Sequence, residues 1–354
     1  MQRLAIVRSL QSITTAIVII TTGITTGNAP AETPEPDAVW ALAYFRQRYP
    51  TRVEIDADGK VRDVALPNPM KVEQLHLALS TDGRHWKPLA GNKPVWSQGL
   101  RDPFIRRSAD GTWHLLATGR ARQDPRNELP PVCLHATSKD LVTWESVESL
   151  PLMKGVKDEE GRRARNIWAP EWFQDEDSRK FMLIWSSSFE DAGWKRSRLW
   201  YSRTTDWKNF EPAQVLFSPG YSVIDGSLLE SAGSYYLFHK EEEFAADTGE
   251  RRAIRLAVSD EASGPYQAVD GPLNDGQIVP TITEGCSVMP DPSGDGWLLL
   301  YDYCMTNRYG ASGSDDLIHW KVITDVEFPP DARHGSVFRL TQEEADRLRR
   351  TFGD

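Results

Sequence analysis

Five segments of this chain share one short pattern, and this repetition constrains the fold more than any other feature of the sequence. In four segments a Ser or Thr is followed two residues later by Asp and six residues later by an aromatic residue. These copies contain Ser80, Asp82 and Trp86; Ser138, Asp140 and Trp144; Thr204, Asp206 and Phe210; and Ser314, Asp316 and Trp320. The remaining segment keeps only Ser259 and Tyr266. Successive copies lie 55 to 66 residues apart, which is too long for one helical repeat.

Each copy is predicted to be a β-hairpin, because residues suited to tight turns are flanked by β-branched and aromatic residues. A second segment of the same kind precedes every copy except the first, over residues 102–119, 169–187, 225–241 and 284–303. Two hairpins make a four-stranded sheet, and radial repetition of such sheets is typical of a β-propeller. The sequence therefore predicts an all-β fold, a five-bladed β-propeller. A solenoid is the alternative, but its repeats are usually shorter and more uniform.

Both chain ends are needed to close the predicted ring. Residues 332–340 resemble an opening strand without a hairpin, and the hairpin that begins at Leu75 lacks an opening half. Pairing these N- and C-terminal strands would complete the fifth blade and cover two open sheet edges. A short C-terminal helix is predicted to follow, with a capping box at Thr341 and Glu344. Residues 38–49 are compatible with either a short helix or a strand.

The first residues have the order of a secretory signal peptide. Arg3 and Arg8 precede an uncharged stretch over 13–27, and small residues follow directly. That stretch is short and rich in Thr for a bilayer span, and an uncleaved anchor is the alternative. We expect cleavage after Ala31 and a secreted or periplasmic protein. The expected organisation is a signal peptide over 1–31, a linker and N-terminal segment over 32–71, with a disordered part over 32–37, and a catalytic propeller over 72–354.

Charge and cysteine content exclude some classes of function. The formal net charge of −10 becomes −12 when the two arginines of the signal are removed. An acidic chain lacks the usual electrostatic footprint of nucleic-acid binding, whereas neutral polysaccharides suit it. Cys133, Cys286 and Cys304 form no CxxC motif, so no metal-binding knuckle is indicated. Three buried thiols, or one disulfide and one free thiol, are both compatible with the sequence, and the oligomeric state is left open.

Acidic residues recur where the predicted blades begin. The residues in these positions are Asp102, Glu171, Asp225, Glu284 and His334, which lie 50 to 69 residues apart. The innermost strands of a propeller start at one face of its channel, so these side chains are expected to converge there. Carboxylates that lie close together raise one another's pKa and cost stability unless they are used. The pattern therefore indicates a functional site.

These motifs resemble those of the family 43 glycoside hydrolases, five-bladed propellers that include arabinanases, arabinofuranosidases and β-xylosidases. The resemblance covers residues 72–341, and the family's WAPE motif matches residues 168–171. Asp102, in the sequence Arg-Asp-Pro, matches the general base of the family. Asp225, in the sequence Ile-Asp-Gly, matches the residue that tunes the pKa of the acid, and Glu284 before a Gly matches the general acid.

The resemblance implies hydrolysis of an O-glycosidic bond in one inverting displacement. Asp102 would activate water and Glu284 would protonate the leaving oxygen, while the charge of Asp225 would help Glu284 to keep its proton. The base and acid carboxyls are then expected about 6.5–9.5 Å apart. The implied substrates are plant- or algal-type oligo- or polysaccharides with arabinofuranosyl, xylosyl or galactosyl units.

Further residues are expected to bind the sugar or line the channel. The residues assigned to substrate binding are Arg101, Trp168, Glu171, Arg308 and His334. Arg308 could equally lie on the surface, and His239 could line the channel or belong to a blade core. No cofactor is expected to be required. Some arabinanase relatives have a calcium ion near the histidine that matches His334, so a calcium ion in the central channel is an additional expectation.

Two other functions fit the same fold. A non-catalytic carbohydrate-binding propeller would lack at least one of the three acids, and all three are present. A retaining fructan-type hydrolase shares the Arg-Asp-Pro sequence but needs an upstream Asn-Asp-Pro, and residues 32–100 contain only Asn68 between two prolines. Sialidase-like propellers share the Ser-x-Asp turns, but their usual arginine triad is not evident.

Overall fold

The computed structural model of this chain describes residues 38–55, 61–119, 129–145, 147–175, 179–189, 196–245, 249–250, 252–275, 283–294, 296–304 and 308–353. The predicted signal peptide, its cleavage point after Ala31 and the linker over 32–37 lie outside these residues. Within the described part, no helix is both long and apolar enough to span a membrane.

Five sheets of β-strands form a ring, which confirms the predicted all-β, five-bladed propeller. From the channel outward, blade one contains Arg101–Arg107, Trp113–Thr118, Cys133–Ser138 and Glu148–Leu150; blade two contains Trp168–Gln174, Phe181–Ser187, Arg198–Thr204 and Gln214–Phe217. Blade three contains Val223–Ser231, Ser234–Glu241, Ala253–Ser259 and Gln267–Ala268; blade four contains Glu284–Pro290, Trp297–Tyr303, Arg308–Ser314 and Lys321–Ile323. All pairings within the blades are antiparallel, and the innermost strands of neighbouring blades contact one another around the channel.

A fifth sheet, here called the closing blade, unites the two ends of the chain. Its strands, from the channel outward, are Ala332–Leu340, Val39–Arg48, Met70–Ser80 and Lys87–Pro88, and Trp96–Gly99 also pairs with Met70–Ser80. Two short hairpins outside the blades are formed by Thr51–Ile55 with Val61–Ala65 and by Phe244–Ala245 with Gly249–Glu250. A 3₁₀ turn covers Leu89–Gly91.

The closing blade differs from the sequence prediction in one strand. Ala332–Leu340 was expected to pair with the hairpin that begins at Leu75, but Val39–Arg48 lies between them and pairs with both neighbours. The first seven residues of this strand are all buried, because it faces a neighbouring blade on each side. A strand with two buried faces lacks the polar–apolar alternation that identifies strands in a sequence. The propeller therefore begins at Val39 rather than at residue 72.

The core of the molecule lies between the blades. Each of the five buried apolar clusters is drawn from two neighbouring blades. In blade four, Leu298 and Leu300 face the closing blade, whereas Leu299 and Tyr301 face blade three. Alternate residues of a strand point to opposite faces of its sheet. The near-continuous apolar runs of the second strands follow from this, since both of their faces are buried.

The repeated Ser-x-Asp pattern forms the predicted turns. In blade one, Ser138 Oγ accepts the N–H of Leu141 at 2.9 Å, and Asp140 Oδ1 accepts the N–H groups of Val142 and Thr143 at 2.9 and 2.8 Å. The residue after Asp has a positive φ in all four complete copies, with values between 59° and 69°. Its side chain is buried where it has one, as in Leu141. The turn thus spans the hairpin and anchors it to the core.

The chain ends in the predicted helix, Gln342–Phe352. Thr341 Oγ1 accepts the N–H of Glu344 at 3.3 Å, and the Glu344 side chain accepts the N–H of Thr341 at 2.9 Å, so the capping box is confirmed. Cys133, Cys286 and Cys304 are all free and buried. Of the two arrangements that the sequence allowed, three buried thiols is therefore the one adopted.

Two buried histidines lie between blades one and two. His114 Nδ1 and His135 Nε2 are 3.0 Å apart, and both rings stack on Trp207 with centroid distances of 4.5 and 4.2 Å. Burial lowers the pKa of His114 to about 4 and that of His135 to about 3. An unfolded histidine titrates near pH 6.5, so below that pH the unfolded chain binds protons that the folded pair cannot. The free energy of unfolding therefore decreases as the pH falls from about 6.5 towards 4.

The histidine pair gives a testable pH dependence. We compare the free energy of unfolding of the wild type with that of His135→Gln. Between pH 7 and pH 5, the difference should change by about 2 kcal/mol to the disadvantage of the wild type, because each pH unit between the two pKa values is worth about 1.36 kcal/mol. Urea unfolding at both pH values measures the difference. His319→Gln, at an exposed site, is the control. An equal pH slope for wild type and His135→Gln would contradict a neutral buried pair.

Candidate active site

All five innermost strands begin with the same irregularity. Each shows a shift of register near its start. A residue with positive φ lies at each shift, at Asp102 (51°), Ala169 (43°), Asp225 (54°), Gly285 (62°) and His334 (21°). An extra residue of this kind bends a strand and redirects its side chains, and such bulges are frequent beside active sites. Left-handed backbone costs energy for most residues but is tolerated best by Gly, Asn and Asp.

The five residues predicted at the starts of the blades do not all occupy the same position in these bulges. Asp102, Asp225 and His334 occupy the positive-φ position itself, whereas Glu284 precedes that position in its strand and Glu171 follows it by two residues. At Gly285 a Cβ atom would lie 2.8 Å from His334 Cγ, so this position requires glycine. The glycine places Glu284 one residue earlier, where its side chain reaches the same pocket as the two aspartates.

A pocket of about 210 Å³ brings the three predicted acids together. Asp102, Asp225 and Glu284 come from blades one, three and four and all contribute to its wall. The other lining residues are Tyr49, Arg101, Trp168, Ile224, Lys240, Glu242, Cys304, Arg333 and His334. The convergence that the sequence predicted for these acids is therefore present in the folded chain.

His334 links the two aspartates. Its Nδ1 atom lies 3.6 Å from Asp102 Oδ1 and 3.7 Å from Asp225 Oδ2. Burial lowers the pKa of His334, but the charges of Asp225 and Asp102 outweigh burial and raise it. Burial, opposed by His334 and reinforced by Glu284, raises the pKa of Asp225 to about 7. Asp225 Oδ2 also accepts the N–H of Gly285 at 3.4 Å.

Thr118 orients the carboxylate of Asp102. The hydroxyl of Thr118 donates to Asp102 Oδ2, and the Oγ1 atom of Thr118 itself accepts the N–H of Ala169 at 2.9 Å. The threonine thus connects the bulge of blade one to the bulge of blade two. Thr118 carries no signal in the sequence, because only the pairing of Arg101 with Thr118 across the first two strands brings it beside Asp102.

Glu284 is bound by two buried cations. Lys240 Nζ lies 2.7 Å from Glu284 Oε2, and Arg333 pairs with Glu284 Oε1. Arg333 Nε also donates to Asp302 Oδ2 at 2.9 Å, and Lys240 Nζ lies 2.8 Å from Glu242 Oε2. Burial alone would raise the pKa of Glu284, but Lys240 and Arg333 hold it well below its usual range.

Neither cation was identified from the sequence, although a signal was present. Lys240 follows His239 after the apolar run over 235–238 in the second strand of blade three, and Arg333 precedes His334. His239 points away from the pocket, because successive residues of a strand face opposite sides. It is fully buried, with Nε2 3.1 Å from Tyr221 Oη. A basic residue that directly follows an apolar run, or that directly precedes a predicted channel residue, would have been the clue.

The residues assigned to substrate binding lie in different places. Arg101, Trp168 and His334 line the pocket. The guanidinium of Arg101 lies 5.3 Å from the centroid of the Phe45 ring, and its Nε is 3.5 Å from Glu73 Oε1. Arg308 is exposed and does not line the pocket, and its guanidinium lies over the Tyr303 ring at 5.0 Å.

Glu171 is buried but does not line this pocket. Burial raises its pKa to about 7, opposed by the charge of Arg106 and a hydrogen bond with Ser227. Its displacement past the bulge of blade two, at Ala169, explains why it does not join the other acids.

The calcium ion expected near His334 in the central channel stays a prediction. The described residues include no cluster of three or more His, Cys, Asp or Glu side chains arranged to bind a metal ion. Calcium prefers six to eight oxygen ligands, whereas His334 offers nitrogen and directs Nδ1 at two carboxylates.

Comparisons with known proteins agree with this architecture. An alpha-L-arabinofuranosidase of Bifidobacterium longum subsp. longum is 27% identical over 198 residues, which are 47% of this chain and 18% of that protein. A thermostable family-43 glycoside hydrolase of known structure covers 82% of this chain and 96% of its own, with a TM-score of 0.51 and 14% identity. An alpha-L-arabinofuranosidase from Clostridium thermocellum covers 82% of this chain and 97% of its own, with a TM-score of 0.50 and 12% identity. At these identities the two structures show a shared fold.

A family comparison covers most of the chain. Residues 67–346, more than three quarters of the sequence, match the family-43-related group whose description is "Probable glycosyl hydrolase domain". This range contains all three acids, Lys240 and Arg333, and the strand Val39–Arg48 with Tyr49 lies before it. From this match, together with the five blades, the chain belongs to the family-43-related glycosyl hydrolases.

Proposed function

We propose that this protein is an exported glycosidase that cleaves O-glycosidic bonds of oligo- or polysaccharides by an inverting single displacement. The observation that carries the proposal is the convergence of Asp102, Asp225 and Glu284 on one pocket from three different blades. The pocket of about 210 Å³ suits a single sugar unit better than a long stretch of polymer. Export rests on the signal-like order of residues 1–31.

Asp102 has the surroundings of a general base. The Thr118 hydroxyl donates to Asp102 Oδ2 and orients the carboxylate, while His334 Nδ1 lies 3.6 Å from Oδ1. A water molecule would attack the anomeric carbon while one of its protons passes to Asp102. At the same time the bond from the anomeric carbon to the leaving oxygen would break, and the proton of Glu284 would pass to that oxygen. Solvent then returns one proton to Glu284 and takes one from Asp102.

Asp225 has the surroundings of a modulating residue. Its carboxyl is buried against Gly285 and His334, and its charge acts on Glu284 across the pocket. Like-charge repulsion between two carboxyls raises the pKa of one of them. With Asp225 ionised, Glu284 would retain a proton more readily. The opposing influence of Lys240 and Arg333 must be relieved before Glu284 can act as the acid.

The sugar is proposed to be an α-L-arabinofuranosyl unit, with β-D-xylosyl and galactosyl units as alternatives. The arabinofuranosyl proposal follows the described activity of the Bifidobacterium relative, of which this chain matches only 18%. Hydrolysis of 4-nitrophenyl glycosides of the three sugars, followed by the matching oligosaccharides, tests the proposal. We expect one sugar to be cleaved and Glu284→Ala to lose activity on the oligosaccharide. The proposed function would be contradicted if the wild type cleaved none of these substrates. It would also be contradicted if Glu284→Ala cleaved the oligosaccharide as fast as the wild type.

The stereochemical outcome separates this proposal from a retaining hydrolase of the same fold. An inverting enzyme releases the opposite anomer of the cleaved sugar, since water attacks from the face opposite the leaving group. Proton NMR of the first product formed, before mutarotation, identifies the anomer. A retained anomer would favour the fructan-type alternative with a covalent intermediate.

A further inference from the structure

Lys240 is an unusual residue for the wall of a sugar pocket. It lies in the second strand of blade three, and only 1% of its surface is exposed. Its ammonium group contacts two carboxylates at once, Glu284 at 2.7 Å and Glu242 at 2.8 Å. A fully buried ammonium is costly unless it is paired. Both partners of Lys240 line the pocket, so its pairing can respond to what enters.

The charges around Glu284 do not balance in the free protein. The cations in direct contact with this cluster are Lys240 and Arg333, whereas the anions are Glu242, Glu284 and Asp302. Two cations against three carboxylates leave one negative charge in excess. If Glu284 takes up one proton, two neutral pairs remain, Lys240 with Glu242 and Arg333 with Asp302. Burial disfavours uncompensated charge, so exclusion of water by a bound sugar favours this balanced state.

The other groups that face Glu284 do not change this count. Tyr49 and Cys304 line the same wall, and burial raises the pKa of both, so each stays neutral. His334 also acts on Glu284, and its charge lowers the pKa of Glu284, but His334 lies 3.6 Å from Asp102 and 3.7 Å from Asp225, which balance its charge. Repulsion between Asp225 and Glu284 raises the pKa of Asp225 rather than that of Glu284.

We propose that Lys240 is a positioning residue that governs when Glu284 carries its proton. In the free enzyme it anchors Glu284 as a carboxylate, and when a glycoside fills the pocket it stays with Glu242 while Glu284 takes up one proton from solvent. This inference rests on the proposed function, because it assigns the general acid to Glu284. It adds a proton uptake coupled to substrate binding, with Glu242 as the partner that keeps Lys240 neutralised.

The pH dependence of the two kinetic constants tests this coupling. The profile of kcat/KM reports ionisations of the free enzyme, and that of kcat reports those of the substrate complex. On an oligosaccharide cleaved by the wild type, we expect the alkaline limb of kcat/KM to lie at lower pH than that of kcat. In Lys240→Met the limb of kcat/KM should move up by about one to three pH units, the effect of removing one close opposite charge. Lys240→Arg keeps the charge and should restore the lower limb.

A second variant, Glu242→Gln, should shift the alkaline limb of kcat/KM in the opposite direction. Glu242→Gln leaves Glu284 as the single carboxylate partner of Lys240, so the alkaline limb of kcat/KM should move down. Lys180→Met is the matched control, because Lys180 pairs with Glu211 on a half-exposed surface, and both profiles should stay as in the wild type. If circular dichroism shows that Lys240→Met does not fold, Glu242→Gln alone tests the inference. A downward shift of its kcat/KM limb would support the inference, and an unchanged or upward limb would overturn it.

The possible failures are distinguishable. If Glu284→Ala abolishes oligosaccharide cleavage but neither Lys240→Met nor Glu242→Gln moves the limb, the role of Lys240 is overturned and the proposed function stands. If Glu284→Ala leaves cleavage intact, the proposed function itself is overturned. A limb that moves equally in Lys180→Met would also overturn the inference, since the effect would not be local.

Discussion

Asp102→Ala is expected to lose about 10²–10⁴-fold in kcat on every glycoside, whatever its leaving group. The proposed base removes a proton from water, and this requirement is the same for good and poor leaving groups. The Thr118 hydroxyl orients this carboxylate, and His334 Nδ1 lies 3.6 Å from its other oxygen. Initial rates on a 2,4-dinitrophenyl glycoside and on an oligosaccharide of the same sugar measure the loss. Azide, which attacks without a base, should restore turnover and yield a glycosyl azide.

Glu284→Ala provides the contrast that identifies the two roles. A dinitrophenolate leaves without protonation, so this variant should retain much of its activity on the dinitrophenyl glycoside and lose about 10²–10⁴-fold on the oligosaccharide. Asp325→Ala, whose side chain is 92% exposed in the wild type, is the control for handling and folding. Equal sensitivity of Asp102→Ala and Glu284→Ala to the leaving group would contradict the assignment of base and acid.

Asp302→Ala is expected to lower the free energy of unfolding by about 3–5 kcal/mol, the cost of breaking a buried ion pair by removing one partner. Asp302 is fully buried in blade four, and its carboxylate accepts Arg333 Nε at 2.9 Å and the N–H of His334 at 2.8 Å. Both partners belong to the innermost strand of the closing blade. The substitution therefore leaves a guanidinium with one carboxylate fewer and weakens the contact that joins the last strand to the ring.

Urea unfolding measures this effect through the midpoint at constant m-value. Asp325→Ala again serves as the control, and a change within about 0.5 kcal/mol is expected there, as for most exposed positions. An unchanged midpoint for Asp302→Ala would mean that the pairing of Arg333 with Glu284 alone satisfies the buried cation.

Much of the fold could be predicted from short-range patterns. The Ser-x-Asp turns form within six residues of chain, and their hydrogen bonds are local. Their recurrence set the number of blades, and the capping box at Thr341 and Glu344 set the start of the helix. The strand Val39–Arg48 could not be assigned in the same way. Its partners are more than twenty residues away on one side and almost three hundred on the other, and its burial on both faces removes the alternation of polar and apolar residues.

In the candidate site, too, some residues could be identified from local motifs and others could not. Asp102, Asp225 and Glu284 were identified because each sits in a recognisable local motif at the start of a blade, so short-range sequence was enough to name the acids that meet. What surrounds them was decided by the tertiary structure. Lys240, Arg333 and Thr118 reach the pocket through strand pairing, bulges and ring closure, which join residues distant in the chain. Charge and orientation depend on these three-dimensional neighbours, and therefore the ionisation of Glu284 could be read only from the folded molecule.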